Sequence, residues 1–394
     1  METYSKSKVN IMLAALLVCV FIQGFGSYKF IPMQQDIQTF FGINEGAYGI
    51  LTSAQNWLLI VCSVPFGYLA RKVPCKWGFV MGFGAAMLGS IVQVLTTNYA
   101  LFVIGRTMEG AGFGFLQLTA TTLMLTLVAP NKRGMWSSIY IVTVIITQAI
   151  ISKTAPILMA KTGLDFRSVF YLILGMYILA VIIAVLVIPK SLRVNGISDA
   201  TKPTREQTRR VFKNATNWKI SIANIAWNTV SVGFIAYVIR YFVIKGLTMN
   251  QATTAYSVMT IIGAVSMLLT GIMADKLGTK RKIVIAGYFI AVIATAMLAF
   301  IPANLIYIYV VIYSSIPRSI GPLTNASAAD IAELPLDIPI VNSIKQTIVQ
   351  LGSVINIIIV GYLVQFLGYP ATLMIMAGEL VVGGILWISA KKIP

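Results

Sequence analysis

The sequence predicts an all-α membrane protein, and three observations support this prediction. First, 58% of the 394 residues are hydrophobic and only 11% are charged, whereas soluble domains carry about 25% charged residues. Second, the chain contains twelve apolar runs, each close to the roughly 20 residues that a helix needs to cross the hydrocarbon core. Third, a loop pattern recurs about half a chain length apart, which indicates two related helical bundles.

The composition also excludes several classes of protein. The net charge of +18 does not indicate a nucleic-acid partner, because so apolar a chain exposes too little basic surface. The three Cys have no paired spacing and there is no His, so neither a disulfide framework nor a common metal site is predicted. The sequence shows no set of nucleophile, general base and metal ligands that would indicate an enzyme. We therefore expect a small-molecule partner, the lipid bilayer and no cofactor.

The apolar runs predict the spans in order. They cover residues 9–33, 46–70, 77–96, 99–127, 135–161, 167–189, 218–244, 250–274, 282–301, 303–326, 338–363 and 369–390. The first run is too long for a cleavable signal peptide and leads directly into further spans. The polar, basic stretch 190–217 follows six spans and precedes six more. It predicts a cytoplasmic linker between an N-terminal bundle, residues 1–189, and a C-terminal bundle, residues 218–394.

The Lys and Arg residues outside the spans predict the orientation. With both termini in the cytoplasm, 21 of these cations fall on the cytoplasmic side and 3 on the opposite side. An excess of Lys and Arg in short cytoplasmic loops is the positive-inside pattern. We expect a monomeric, multi-pass protein of the inner or plasma membrane with both termini in the cytoplasm.

The two loops that form the repeat are Gly67–Trp77, GYLARKVPCKW, and Gly271–Lys282, GIMADKLGTKRK. The second loop resembles the signature loop of the major facilitator superfamily, G-x-x-x-D-(R/K)-x-G-x-(R/K)-(R/K). The residues that fit this pattern are Gly271, Asp275, Lys276, Gly278, Lys280 and Arg281. The first loop departs from the pattern, because Arg71 and Pro74 stand where the Asp and the second Gly are expected.

A second motif supports the same resemblance. The segment GRTMEGAGFG in the fourth span is similar to the superfamily's R-x-x-x-G-x-G pattern at Arg106, Gly110 and Gly112. The resemblance covers nearly the whole chain. It implies the major facilitator fold, in which two six-helix bundles are related by pseudo-twofold symmetry and a site lies between them, and it implies transport by alternating access.

The resemblance also implies a gating role for the second loop. An Asp at a helix end can accept hydrogen bonds from the N-terminus of a neighbouring helix or pair with nearby cations. We therefore assign Asp275, Lys276 and Arg281 to gating. The alternative is that this basic loop only determines the topology.

Six cations remain inside the spans. They are Lys29, Arg106, Lys153, Arg240, Arg318 and Lys345. A charge in the hydrocarbon costs about 2.5–3.5 kcal/mol on insertion scales, so such residues face a cavity or a partner. The alternative for each of them is snorkelling to the interface or structural pairing.

Two groups of these cations are candidates for binding a solute. Lys29 and Arg240 lie on equivalent spans of the two halves, an arrangement that resembles the superfamily's organic phosphate exchangers. Lys345 resembles the lysine that the oxalate/formate exchangers keep on the same helix. It belongs to a polar stripe that either joins helices or lines an aqueous path. The other members of the stripe are Asn342, Gln346, Gln350, Ser353 and Asn356.

Four further residues, Arg106, Glu109, Arg318 and Asn228, complete the predicted site. Arg106 has Glu109 three residues later, on the same helical face, and we expect this pair to be structural or to act as a proton-linked switch. Arg318 follows Pro317, which should kink its helix, so Arg318 either faces the pathway or reaches the cytoplasm. Asn228 lies on a polar face of the seventh span.

The balance of charge inside the membrane predicts the function. Six cations stand against two acids, Glu109 and Glu379, and a cavity of that sign attracts anions. We predict a secondary active transporter for a small organic anion, such as a carboxylate, that works as an exchanger or a proton symporter. The alternative is a proton-coupled exporter of drugs or other amphipathic compounds.

Overall fold

The structure is a computed structural model that describes residues 5–128, 133–190, 192, 205–334 and 337–390. All regular elements of these residues are helical, so the predicted all-α class is confirmed. The contacts divide the chain into two units. The first unit contains residues 1–43 and 51–198, and the second contains residues 44–50 and 199–394.

Six long helices and one short helix lead through the first half of the chain. They are α1 (Lys6–Tyr28), α2 (Gln34–Phe41), α3 (Glu45–Lys72), α4 (Cys75–Leu95), α5 (Tyr99–Leu127), α6 (Arg133–Thr162) and α7 (Arg167–Val187). The predicted boundaries of the fourth span, 99–127, agree with α5. The helix α2 was not predicted. It ends at Gly42, whose φ of 62° favours glycine because other residues rarely adopt it.

The second half contains more helices, and several of them are short. They are α8 (Arg205–Lys213), α9 (Ala215–Asn228), α10 (Val238–Ile244), α11 (Met249–Leu277), α12 (Lys280–Phe300), α13 (Ile306–Ser314), α14 (Ile320–Ala326), α15 (Ala328–Ile331) and α16 (Ile338–Ser389). Local sequence accounts for several ends. Thr248 and Gln251 form a capping box at the start of α11, and Gly278, with φ 61°, ends that helix.

Two of the predicted spans are interrupted, and the last two are joined in one helix. A π-turn at Thr229–Gly233 and a 3-10 turn at Phe234–Tyr237 separate α9 from α10. A 3-10 turn at Ile316–Ser319 separates α13 from α14 and confirms the kink expected at Pro317. The last two spans form α16, which changes direction at Gly368, with φ 76°. Such irregular backbone is tolerated at membrane depth only where protein or a water-filled cavity satisfies it.

The described residues contain eight helical segments that are long and apolar enough to cross a membrane. One of them, Thr347–Ser389, includes the last predicted span and most of the one before it. The length and composition of these segments therefore support the membrane class that the hydrophobic content predicts.

The polar stretch 190–217 contains a helix that the sequence interpretation missed. Val211 of α8 is buried, and the guanidinium of Arg210 donates two hydrogen bonds of 2.8 Å to the carboxylate of Asp337. These bonds hold the pKa of Asp337 below its usual range. Asn214, between α8 and α9, donates to the carbonyl of Ile331 at 3.0 Å. The segment is thus anchored to the second unit.

Glycines allow α4 and α5 to pack unusually closely. A Cβ atom added to Gly89 would lie 2.4 Å from the carbonyl oxygen of Gly105, and one added to Gly112 would lie 2.4 Å from that of Gly82. Small residues are the usual means by which membrane helices bring their backbones together. Because the obstructing atoms belong to the backbone, they cannot move aside as a side chain could.

We expect Gly89→Ala to lower the melting temperature of the detergent-purified protein, because overpacking of this kind costs about 1–3 kcal/mol. The matched control is Gly84→Ala on the same helix, where an added Cβ meets nothing within 4 Å. Thermal unfolding followed by intrinsic fluorescence measures both variants. Equal melting temperatures for the two variants would contradict the close packing.

Candidate functional site

A buried carboxylate lies in the interior of the first unit. Glu109 on α5 has no exposed side-chain surface. Its Oε1 accepts hydrogen bonds from Lys29 Nζ at 2.8 Å and from the Tyr177 hydroxyl at 2.6 Å. Its Oε2 accepts from Arg106 Nη1 at 2.8 Å and from Gln93 Nε2 at 3.3 Å. We call these five residues the Glu109 cluster.

The guanidinium of Arg106 connects the cluster to the end of α1. Its Nη1 donates to the carbonyl of Gly26 at 3.0 Å, and its Nη2 donates to the carbonyl of Ser27 at 2.8 Å. It also donates to Gln55 Oε1. Carbonyls of the last turn of a helix carry partial negative charge, so they stabilise this cation. The buried Nε atom of Arg106 has no hydrogen-bond partner among the described residues.

Lys29 is sealed inside the unit. Its side chain is 0% exposed, its Nζ donates to Ser90 Oγ at 3.2 Å, and the same nitrogen lies 3.8 Å from the centroid of the Phe170 ring. A cation above an aromatic face is attracted by the ring quadrupole. The snorkelling alternative for Lys29 is therefore wrong, because its ammonium is paired with Glu109 in the interior.

The charges of the cluster do not cancel. Lys29 and Arg106 are cations and Glu109 is the acid that pairs with both, which leaves one net positive charge. Taking charges out of water is costly unless they are paired and hydrogen-bonded. The cluster satisfies its carboxylate with four donors, and the Nε atom of Arg106 is left without a hydrogen-bond partner among the described residues.

Lys345, a candidate for a solute-binding lysine, is also buried, and its partners are a backbone carbonyl and a hydroxyl. Its Nζ donates to the carbonyl of Thr324 and, at 3.4 Å, to Ser327 Oγ, at the C-terminal end of α14. This position is one where a cation stabilises the terminal carbonyls of a helix. Whether Lys345 also meets a solute stays a prediction.

The other described residues of the predicted polar stripe on α16 make contacts either with another helix or within α16 itself. Asn356 donates to the carbonyl of Ile225 on α9 at 3.1 Å, so it joins two helices. Ser353 donates to Val349 of its own helix at 2.8 Å. Gln350 is half-buried. The side chains of Asn342 and Gln346 lie outside the described part of the chain.

Two arginines of the second unit differ from those of the first. Arg240 and Arg318 are half-buried, and their buried Nε atoms have no hydrogen-bond partner within the described residues. Neither arginine forms an ion pair with any acid that the structure describes. The guanidinium of Arg318 lies 5.9 Å from the centroid of the Tyr313 ring. These cations remain candidates for binding an anion.

Aromatic rings stack beside Arg318. The Trp227 and Tyr313 rings are 5.9 Å apart at 26°, and the Tyr309 and Tyr313 rings are 5.4 Å apart at 21°. We call these three rings the aromatic stack. Two buried amides come from the same helix as Trp227. The Oδ1 of Asn224 and the Nδ2 of Asn228 have no partner among the described residues, so both could bind a polar solute.

The residues assigned to gating are only partly described. The side chain of Asp275 lies outside the described part, and Lys276 is exposed. Arg281 donates to the carbonyls of Ile388 at 2.5 Å and Trp387 at 3.5 Å, so it stabilises the C-terminal end of α16. Their gating role stays a prediction.

One ion pair of the signature loop escaped the sequence interpretation. Lys280, at the start of α12, donates to Asp330 of α15 at 2.9 Å. The two residues are far apart in the chain, and no sequence pattern around either of them predicts that they pair.

Comparisons with known proteins agree on one family. The family profile described as Major Facilitator Superfamily matches residues 16–335. Myo-inositol transporter 2 of Schizosaccharomyces pombe is 26% identical over 100 residues, and the L-fucose-proton symporter of Escherichia coli is 28% identical over 102 residues. Both alignments cover 25% of this chain, and they cover only 18% and 23% of the two relatives.

The solved structures support the same fold. A bacterial homologue of the human lysosomal transporter Spinster, in an inward-facing and unoccupied conformation, superposes with a TM-score of 0.82. The match covers 99% of this chain and 98% of that chain at 14% identity. At this identity the likeness shows the fold alone, and it confirms the fold that the signature motifs imply.

We expect Glu109→Gln to lower the melting temperature more than Lys29→Met does. Losing the acid leaves two buried cations, and breaking a buried pair costs about 3–5 kcal/mol. Losing Lys29 leaves the neutral pair of Arg106 and Glu109.

The double variant Lys29→Met/Glu109→Gln completes a thermodynamic cycle. The double variant should lose less free energy of unfolding than the two single variants lose in sum, by about 0.5–3 kcal/mol, because the residues are in contact. Lys161→Gln, at an exposed helix end, is the control for removing a lysine. Strict additivity would refute the ion pair of Lys29 with Glu109.

Proposed function

Because the chain belongs to the Major Facilitator Superfamily, we propose that this membrane transporter carries a small organic anion, such as a carboxylate, by alternating access. The observation that supports this proposal most directly is the single excess positive charge of the Glu109 cluster, which lies in the interior of the first unit. Arg240 and Arg318 of the second unit add cations without an acid partner among the described residues.

The excess charge suits a monocarboxylate. Its oxygens can accept charge-assisted hydrogen bonds from Lys29 or Arg106, and the low dielectric of the interior strengthens the attraction. Binding one negative charge would bring the cluster from one net positive charge to neutrality. A neutral cluster is less costly to bury than a charged one, so the loaded carrier would change conformation more readily than the empty one.

Glu109 would provide the coupling to protons. In the empty cluster two cations and two neutral donors stabilise its ionised form. A carboxylate solute competes for the same donors, and a Glu109 that loses Lys29 or Arg106 becomes easier to protonate. Solute and proton would then bind together, which is symport. The protonated, loaded cluster would again carry one net positive charge, so the neutralisation described above applies to exchange with Glu109 ionised. If Glu109 instead keeps enough donors to stay ionised, the same site would support only exchange of anions.

A second candidate is the proton-coupled uptake of a neutral polyhydroxy compound. The aromatic stack offers flat apolar faces, and the unpartnered amide atoms of Asn224 and Asn228 can bind hydroxyl groups. The names of the two curated relatives specify myo-inositol and L-fucose. The alternative of drug export is less well supported, because the buried cations of the Glu109 cluster disfavour the lipophilic cations that many exporters carry.

Counterflow in proteoliposomes should separate the candidates. We expect exchange of mono- or dicarboxylates, and we expect Lys29→Gln to lower the apparent affinity for the anion by at least about tenfold, which corresponds to ~1.4 kcal/mol. Lys161→Gln serves as the matched control and should retain the affinity. Counterflow of myo-inositol or L-fucose, with none of any carboxylate, would refute the anion proposal and favour the second candidate.

The coupling can be tested separately with Glu109→Gln. We expect this variant to keep some exchange of the anion but to lose accumulation driven by an inward proton gradient, because the amide cannot carry a proton. The readouts are counterflow and gradient-driven uptake on the same vesicles. Accumulation that survives in the variant would exclude Glu109 as the proton carrier.

A further inference from the structure

We propose that α8 and the first turn of α9 form a binding surface for the headgroups of anionic phospholipids. The surface consists of Arg205, Arg209, Phe212 and Lys213 of α8 and Trp218 of α9, and we call it the α8 surface. It is independent of the solute site, because none of its residues belongs to the Glu109 cluster or the aromatic stack.

The location of α8 places the surface beside the bilayer. The helix ends at Lys213, and α9 begins at Ala215. The segment Ala215–Ile244 is long and apolar enough to cross a membrane. A basic helix that directly precedes a membrane-crossing segment lies at the level of the lipid headgroups. By the positive-inside pattern we predict that this is the cytoplasmic leaflet.

The opposite side of α8 is anchored to the second unit, which fixes the rotation of the helix. Val211 is 3% exposed, Arg210 pairs with Asp337 through two hydrogen bonds of 2.8 Å, and Asn214 donates to Ile331 at 3.0 Å. Since these contacts occupy one face, the other face of the helix must turn away from the protein.

The outward face combines cations with a pair of aromatic rings. Arg205, Arg209 and Lys213 are exposed and follow one another at spacings of four, so they share one face of α8. Phe212 and Trp218 are 50% and 37% exposed, and their ring centroids are 5.8 Å apart. The indole nitrogen of Trp218 donates to the carbonyl of Phe212 at 2.7 Å, which holds the rings in place.

This combination matches the chemistry of an anionic lipid surface. Basic residues close to such a surface are attracted to phosphate groups, and aromatic rings with a polar edge favour the interface between headgroups and acyl chains. The exposed acid Glu206 on α8 lowers the positive charge but leaves it in excess. A water-soluble acidic partner would use the cations and would not account for two exposed rings next to a membrane-crossing helix.

The test uses the full-length protein in nanodiscs and the fluorescence of Trp218. Lipids with brominated acyl chains quench nearby tryptophans. Subtracting the signal of Trp218→Phe isolates Trp218 from the other tryptophans of the chain. We expect dibromo-phosphatidylglycerol, mixed at low fraction into phosphatidylcholine, to quench Trp218 at lower concentration than dibromo-phosphatidylcholine does. The preference should decrease as the salt concentration rises, because salt screens exposed charges.

The triple variant Arg205→Gln/Arg209→Gln/Lys213→Gln tests the cations. It should lose the preference for phosphatidylglycerol, by roughly fivefold for each cation removed. The charge-matched control, Lys6→Gln/Lys8→Gln/Lys282→Gln, removes three exposed cations elsewhere and should keep the preference. Equal quenching by both lipids in the unmodified protein would overturn the proposal, and so would an equal loss in the two triple variants.

Discussion

The pairing of the Glu109 carboxylate is the interaction on which the rest of the first unit depends. Its donors come from different helices, because Lys29 follows α1, Gln93 belongs to α4, Arg106 to α5 and Tyr177 to α7. An unpaired carboxylate in this interior would be prohibitively costly. The four helices must therefore hold a mutual arrangement that keeps every donor in reach, so polar chemistry constrains the packing as strongly as shape does.

The close approach of α4 and α5 is part of the same constraint. A Cβ atom at Gly89 would lie 2.6 Å from the backbone nitrogen of Glu109, so the absence of a side chain there sets the position of the acid. Gln93 lies one turn further along α4 and reaches Glu109 Oε2 from that side. The glycines and the charged cluster thus depend on each other, because the close approach of α4 and α5 brings the side chains of the cluster within hydrogen-bonding distance.

The second unit manages its buried polar groups differently. Its spans are interrupted by π and 3-10 turns, and Lys345 donates to the carbonyl of Thr324 and the hydroxyl of Ser327 at the C-terminal end of α14. Arg240 and Arg318 have no acid partner among the described residues. The first unit therefore buries an acid together with two cations, whereas the described part of the second unit contains half-buried arginines that pair with no acid.

The sequence by itself determined the features that depend on neighbouring residues. The hydrophobic content predicted the membrane class, the spacing of Arg106 and Glu109 predicted their pair, and Pro317 predicted the break in its helix, because composition, helical periodicity and proline stereochemistry need no distant contacts. Only the tertiary structure decided that Lys29 binds Glu109, 80 residues away, and that Lys280 pairs with Asp330. It also decided that the polar linker contains a docked helix whose Arg210 reaches Asp337. The physical reason is that each of these contacts joins segments brought together by packing, and a charge in a sequence carries no information about which distant charge it will meet.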